Sequence, residues 1–344
     1  MKKIIVSLFI VVAVLTLVGC GKGKVGEGAE KGDTVTFRLA TPDPDSSQIT
    51  KAAQEFAKLV EEKSDGSIQI NVHANGSLYG GDPAAAVKQL GDGSLDMLLL
   101  STSLYTNFEP RFNAISIPYL FDDTDQFVDF LNSDLSEELL HSVEDMDIKG
   151  LGYWTREFRQ ITNSVQPITD PADLDGIKLR VPNNSLWVEF FADAGTATTP
   201  MDFGEVYNAL QLGTIDGQEN PVEVVESSKM QEVQEYLTIS NHMAEAWLVG
   251  MNQEKFKELS EEQQGILLEA SQEIQSWNAE EEKAEAEEMI NLLEEEGMQV
   301  NELTDEQQEV FIENSKQLYP AFKEIIGDEA FFDEVLEFVG KEDE

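Results

Sequence analysis

Three short apolar runs in the first third of the chain decide the fold: TVTFRLA at residues 34–40, SIQINV at 67–72 and LDMLLL at 95–100. The second run alternates apolar and polar side chains, which is typical of a half-buried strand. The third is apolar except for Asp96, as expected for a strand buried in a parallel sheet. Apolar residues from Ile49 to Val60 recur at helical spacing between the first two runs. Strands that alternate with helices predict an α/β domain.

The same alternation returns after residue 148. The pattern predicts strands at 149–154, 157–162 and 177–181, followed by a helix over 185–194. No low-complexity linker separates this part from the first. We therefore expect two sheets in two lobes that are joined by crossing strands.

The last third of the chain is predicted to be helical. Ser260, with a glutamine three residues later, forms a capping box at the start of a stretch over 261–296. An unbroken helix of this length would measure about 54 Å and could bridge both lobes. The alternative is a pair of helices that break near 279–282. Further helices are predicted from Thr304 and near 328–339.

The N-terminus has the features of a secretory signal. Two lysines precede a stretch from Ile4 to Val18 that is apolar except for two hydroxyl residues, which is too short to span a bilayer. The run ends in Leu-Val-Gly-Cys20, which resembles a bacterial lipobox, so 1–19 is predicted to be a lipoprotein signal peptide and Cys20 the lipidation site. The alternatives are an ordinary signal peptide with an incidental cysteine, or an uncleaved anchor. Residues 20–33 are interpreted as a flexible tether.

The charge balance of the chain excludes whole classes of partner. The 344 residues include 67 acidic and 23 basic side chains, a net charge of −44, or −46 without residues 1–19. Nucleic acid is excluded as a partner because binding to phosphate requires clustered Lys and Arg. Anionic membrane surfaces are disfavoured for the same reason. A hydrophobic content of 41% supports a true core, so the chain is not a disordered acidic tail.

Motifs for catalysis, metals or cofactors are absent from the sequence. The three histidines lie far apart, and no HExxH, GxSxG or Walker A pattern occurs. A GxGxxG match at 21–26 follows the signal segment rather than a strand, and we give it no weight. Cys20 is the single cysteine, which excludes an intrachain disulfide. We predict no cofactor, no metal and no enzymatic activity.

The arginines point to recognition of a carboxylate. Only five of the basic residues are Arg, and three of these fall within 156–180, namely Arg156, Arg159 and Arg180. A guanidinium offers a rigid fork of donors that matches a carboxylate. The alternative reading is that each arginine pairs with a surface Asp or Glu. Clustering favours a ligand site for at least one of them.

Several ordered motifs around these arginines resemble a known family. They are RQITNS at 159–164, DLDG at 173–176, IKLRVP at 177–182, PMDFGEVYNAL at 200–210, GTIDGQENP at 213–221, and EVQEYLT at 232–238 followed by His242. Together they resemble the extracytoplasmic solute receptors of tripartite ATP-independent periplasmic (TRAP) transporters, the DctP-type family. The similarity runs from about Thr34 to near the C-terminus.

The resemblance implies a two-lobed type II periplasmic-binding-protein fold with a bridging helix and an organic acid between the lobes. Lobe I would comprise 34–155 plus 247–285, and lobe II 156–246 plus 286–344. The resemblance implies Arg180 as the main partner of the ligand carboxylate. The other residues implied or proposed at the ligand are Arg159, Asn220, Phe203, Glu219, Asn183 and Ser101.

Two prolines independently support part of this site. Pro182 should end its strand and leave Arg180 near the carboxyl edge of a sheet, where ligands of open α/β sheets bind. Pro221 holds Asn220 out of a helix. For Asp43 and Gln48 we favour helix capping and exposure to solvent over ligand contact. Sialic-acid receptors of this family carry a charged pair directly after the strand that corresponds to 95–100. In this chain the segment that begins at Ser101 is uncharged, which argues against sialate as the ligand.

The expected function is therefore a lipid-anchored, extracytoplasmic TRAP receptor that delivers an organic acid to one small and one large membrane subunit. Two alternatives remain at the level of the sequence. One is a receptor that presents its ligand to a signalling system, and the other is an extracytoplasmic enzyme acting on an organic acid. The acidic surface suggests a salt-rich habitat, in which screening offsets the repulsion of an anionic ligand.

Overall fold

The computed structural model describes residues 34–342 and contains two mixed sheets surrounded by helices. The predicted signal peptide 1–19, the lipidation site Cys20 and the tether 20–33 lie outside the described residues. The strands are β1 Val35–Ala40, β2 Ile68–His73, β3 Met97–Ser101, β4 Ile148–Arg156, β5 Gln160–Asn163, β6 Leu179–Val181, β7 Thr199–Pro200, β8 Gly217–Asn220, β9 Tyr236–Ile239, β10 Glu245–Asn252 and β11 Gln299–Glu302.

Helices occupy most of the remaining chain. They are α1 Gln48–Lys63, α2 Pro83–Gly91, α3 Thr124–Leu131, α4 Asp134–Ser142, α5 Ser185–Asp193, α6 Phe203–Gln211, α7 Val222–Ser227, α8 Gln253–Lys257, α9 Glu261–Glu295, α10 Asp305–Gln317, α11 Tyr319–Ile326 and α12 Glu329–Val339. The described residues include no helix that is both long enough and apolar enough to cross a bilayer.

The two sheets define two lobes, as the sequence predicts. The first has the strand order β2-β1-β3-β10-β4, with β10 antiparallel to both neighbours. The second has the order β11-β9-β5-β8-β6-β7, with β5 antiparallel to both neighbours. The chain passes between the sheets from β4 to β5 and returns from β9 to β10. This arrangement confirms the two-lobed type II fold with crossing strands.

Each lobe brings its strand ends to one edge. In the first sheet, β1, β3 and β4 end where β10 begins, because β10 runs against its neighbours. In the second sheet, β6 and β8 end where β5 begins. Loops that follow carboxyl ends of strands are the usual position of ligand sites in α/β proteins.

Helix α9 is a single element of 35 residues, about 52 Å long. Its capping box at Ser260 and Gln263 is present. The helix continues without interruption through 279–282, so the alternative with a break there is wrong. The helix packs on α1 and β4 from the first lobe and on α7 and β11 from the second. Hydrogen bonds from Trp154 Nε1 to the Ser271 carbonyl (3.0 Å) and from Asn278 Nδ2 to the Thr155 carbonyl (2.9 Å) tie it to β4.

The first sheet is held on one face by a core that includes α1 and α9. Phe56 of α1 packs edge-on against Trp154 of β4, with 5.6 Å between the ring centroids. Ser47 caps α1, because its hydroxyl accepts from the Thr50 amide. The predicted lobe boundaries fall at the end of β4, within β10 and within α9. The assignment of residues to lobes stays a prediction, since α11 packs both on α5 and on a 3₁₀ segment at Pro110–Ser116.

Candidate functional site

A cleft of about 710 Å³, counting its open mouth, lies between the strand ends of the two sheets. Lining residues from the first sheet include Asp43, Tyr79, Ser101, Glu245 and Trp247. The cleft is also lined by Arg156, Arg159, Arg180, Asn183, Asp202, Phe203 and Asn220. Six of the seven predicted ligand residues thus line one cleft, and the seventh, Glu219, bonds directly to Arg159 behind it.

Arg180 is a buried cation without an anionic partner. It lies in β6, is 4% exposed, and donates from Nε and Nη2 to the Met201 carbonyl (3.0 and 2.7 Å). No carboxylate among the described residues lies within 4.0 Å of its guanidinium. Burial lowers the pKa of Arg180 to about 10; the charge of Glu219 opposes this effect at longer range, and that of Arg159 adds to it. An anion that entered the cleft would relieve this cost.

Arg159, in contrast, is fully engaged by carboxylates. Its Nε and Nη2 donate to the two oxygens of Glu219 (2.5 and 2.8 Å), and Nη1 donates to Glu245 Oε2 (2.5 Å). Nη2 also reaches Asn220 Oδ1 (3.1 Å). Burial opposes ionisation of Glu219, yet Arg159 and His242 hold its pKa down, to about 2. Arg159 therefore joins Glu219 of the second sheet to Glu245 of the first.

A second ion pair, between Arg156 and Asp43, corrects the sequence-based expectation for Asp43. Asp43 is 3% exposed and accepts from Arg156 Nη2 at 3.1 Å, so it lines the cleft instead of facing solvent. The expectation was wrong because it treated the residue as part of a solvated loop, whereas β4 brings a guanidinium over it. Gln48 is likewise buried, and its backbone N–H donates to Glu223 Oε1 (2.7 Å).

The remaining predicted residues are held in place by neighbouring groups. Asn183 donates to Asp202 (2.7 Å), and Asn220 donates to Gln218 (2.6 Å). Phe203 begins α6 and lines the cleft while packing on the core of the second sheet. The Ser101 hydroxyl donates to Glu245, so in this structure its hydrogen is used within the protein.

Sequence reasoning missed several groups that line the cleft. The Tyr79 hydroxyl and the Trp247 indole N–H are buried and have no hydrogen-bond partner among the described residues. Arg156 stacks over Trp247, with its guanidinium carbon 4.6 Å from the ring centroid. Arg156 belonged to the arginine cluster and could have been chosen from it. Tyr79 lies in a glycine-rich loop and Trp247 in an apolar strand, and neither carries a sequence signal.

Two lobes, crossing strands and a cleft with one unpaired arginine at the strand ends define the class of protein. This is an extracytoplasmic solute-binding protein of the type II fold. The chain belongs to the DctP family, bacterial extracellular solute-binding protein family 7, whose model matches residues 39–325. Among the described residues, no group of His, Cys, Asp and Glu is arranged to hold a metal ion.

Characterised relatives and solved structures agree with this family. The chain is 32% identical to the 2,3-diketo-L-gulonate-binding periplasmic protein YiaO of Escherichia coli K12, over 78% of this chain and 80% of the relative. It is 30% identical to the C4-dicarboxylate-binding protein DctB of Bacillus subtilis 168, over 86% of this chain and 85% of the relative. The structure of the sugar acid binding protein DctPAm from Advenella mimigardefordensis with galactonate superposes with a TM-score of 0.85. The two sequences are 31% identical, and the superposition covers 90% of this chain and 99% of the other.

Proposed function

We propose that this chain captures an organic acid anion in the cleft, with the Arg180 guanidinium paired to the ligand carboxylate. The observation that carries the proposal is the burial of Arg180 without an anionic partner, whereas Arg159 is already neutralised. A buried charge left unpaired is costly, and a carboxylate supplies the missing partner with matching geometry. The TRAP family membership and the acid-binding relatives support the same ligand class.

The other site residues are proposed to complete the shell around that pair. Asn220, Asn183 and Phe203 contribute from the second sheet, and Ser101 from the first. Arg159 and Glu219 orient the Asn220 amide from behind. Because the ligand contacts both lobes only when the cleft is shut, it favours the closed state by its differential affinity.

Anchoring and delivery extend the proposal beyond the described residues. Lipid on Cys20 would hold the receptor at the outer face of the cell membrane, through a tether over 20–33. The closed, loaded receptor would pass its ligand to one small and one large TRAP membrane subunit. The chain would bind and release the acid without chemical turnover, so the acid should be recovered unchanged after incubation.

A thermal-shift screen of organic acids tests this function. A ligand present at 100 times its dissociation constant should stabilise the protein by about 2.7 kcal/mol. Arg180→Ala should stay folded and lose that stabilisation for every acid. Lys178→Ala is the matched control, because it removes a cation two residues away whose side chain is exposed. An Arg180→Ala protein that keeps its response to an acid would contradict the assignment.

A further inference from the structure

The cleft offers one cation that can pair with a ligand carboxylate. Among residues 34–342, Arg38, Arg111, Arg156 and Arg159 all have a carboxylate within 4.0 Å, and Arg180 alone has none. None of the lysines within the described residues lines the cleft. A second carboxylate on the ligand would therefore meet cations that are already neutralised.

Residues that line the cleft on the side of the first sheet carry hydrogen-bonding groups for neutral hydroxyls. Arg180 belongs to the second sheet, whereas Asp43, Tyr79 and Trp247 follow or begin strands of the first. The Tyr79 hydroxyl and the Trp247 N–H are buried donors with no partner among the described residues. An unmade hydrogen bond at a buried donor carries a desolvation cost that a ligand acceptor would remove.

Asp43 supplies the matching acceptor on that side of the cleft and also excludes a second anion. Its Oδ2 accepts from Arg156, and no hydrogen bond from the described residues reaches Oδ1. Burial raises the pKa of Asp43, and the neighbouring Glu245 adds to this. A hydroxyl group can donate to Oδ1 and accept from Tyr79 or Trp247, whereas a carboxylate can only accept and would be repelled by Asp43 and Glu245.

Resting on the proposed function, we infer that the ligand is a hydroxylated monocarboxylate, of the aldonate or uronate class. Its carboxylate pairs with Arg180, and its hydroxyl groups bond to Asp43, Tyr79 and Trp247 across the cleft. Asp43 is the residue that discriminates such a ligand from a dicarboxylate, both by accepting from hydroxyls and by neutralising Arg156.

A length-matched panel of six-carbon acids tests the inference by calorimetry. The aldonates D-gluconate and D-galactonate are compared with their dicarboxylates glucarate and galactarate, and with the unhydroxylated hexanoate and adipate. At least one aldonate should bind tenfold or more tightly than its own dicarboxylate, than hexanoate and than adipate. Tighter binding of adipate or of a sugar dicarboxylate would overturn the inference while leaving Arg180 as the carboxylate partner. The proposed function would be overturned as well if none of the acids bound and if Arg180→Ala responded to the organic-acid screen in the same way as the parent protein.

Two variants test the assigned residues separately. Tyr79→Phe removes a hydroxyl that has no partner within residues 34–342, so it should fold, weaken the aldonate about 3- to 10-fold and leave hexanoate unchanged. Asp43→Asn should raise the dicarboxylate-to-aldonate affinity ratio at least tenfold, because Arg156 loses its closest anion. Asp125→Asn, an exposed residue outside the cleft, is the charge-matched control. Unchanged ratios in both cleft variants would overturn the assignment.

Discussion

Three neighbouring arginines in one cleft have three different tasks, and their partners decide which. Arg156 neutralises Asp43, and Arg159 joins Glu219 to Glu245. Arg180 has no carboxylate within 4.0 Å in the part of the chain that the structure describes. Spacing in the sequence predicts that these residues share a region, but it does not reveal which of them is already paired. That distinction depends on Glu245, which reaches the site from another strand some 90 positions downstream of Arg156.

Removal of the two buried guanidinium groups should therefore have unequal effects on the stability of the ligand-free protein. Arg159→Met leaves Glu219 and Glu245 buried without their cation and should lower the free energy of unfolding by about 3–5 kcal/mol. Arg180→Met removes a desolvated charge with no ion pair, and should leave stability within about 1 kcal/mol of the parent or raise it. Urea denaturation of both variants provides the comparison. Equal losses would show that Arg180 is held by a partner after all.

Residues at strand ends could be predicted where a nearby proline marks the end of the strand. Pro182 and Pro221 mark the ends of β6 and β8, and Arg180 and Asn220 lie where those prolines predict. Asp43 was misassigned because its partner is distant in sequence. Tyr79 and Trp247 were missed because a buried donor is recognised only when the whole fold shows that nothing accepts from it.

Among the elements, the long helix and the crossing segments share a cluster of carboxyl groups that lies behind the cleft. Glu157 follows β4, Glu223 belongs to α7, and Glu282 and Glu285 belong to α9, with Gln48 and Arg156 alongside. Burial, with the neighbouring acids, raises the pKa of Glu157 to about 8 and that of Glu223 to about 7. Glu223 accepts from the backbone N–H of Gln48, so this carboxyl joins the second lobe to the first.

Stability should consequently fall as pH rises from 6.5 to 8. In this range the unfolded carboxyls are ionised, whereas folded Glu223 and Glu157 still hold protons that they lose as the pH passes their raised pKa values. Glu223→Gln should remove part of this fall, at most about 1 kcal/mol between pH 6.5 and 8, because the pKa of Glu223 lies inside that range. The pKa of buried His242 is lowered, so its contribution rises with pH only below about 6.5 and does not interfere.

Melting temperatures across this pH range, with Glu226→Gln on the same helix as control, measure the slope. Glu226 pairs with Lys229 outside the cluster and should leave the slope unchanged. Melting temperatures that stay level or increase between pH 6.5 and 8 would exclude proton uptake by the cluster.

Elements with strong periodicity or caps were predictable, and short ones were not. The three first-sheet runs, α5 and α9 match the predictions to within about two residues. Strands β7 and β8 have two and four residues and are defined by their neighbours in the sheet. No local pattern can specify such segments, because their pairing partners come from distant parts of the chain.

The whole molecule combines a net charge of −44 with a site for an anion. Long-range repulsion should slow the approach of an acid, while the unpaired Arg180 attracts it at short range. Salt shortens the Debye length from about 10 Å at 0.1 M to about 3 Å at 1 M, which removes mainly the long-range part. Our hypothesis of a salt-rich habitat follows from this balance.

The association rate of the ligand should accordingly rise as sodium chloride is increased from 0.1 to 1 M. Stopped-flow measurement with the tightest-binding acid provides the rate, and its uncharged primary amide serves as the control with little dependence on salt. A rate that falls steeply with added salt would show that local attraction by the cleft dominates and that the acidic surface does not hinder capture.

The pairing of Arg180 with a carboxylate is the central claim, and a calorimetric cycle tests it most directly. The tightest-binding acid of the screen and its primary amide are titrated into the parent protein and into Arg180→Ala. The parent should prefer the acid by at least about tenfold, since charge-assisted pairs to arginine contribute about 1.5–3 kcal/mol. Arg180→Ala should bind the acid no better than the amide. A variant that retains the full preference for the acid would contradict the account.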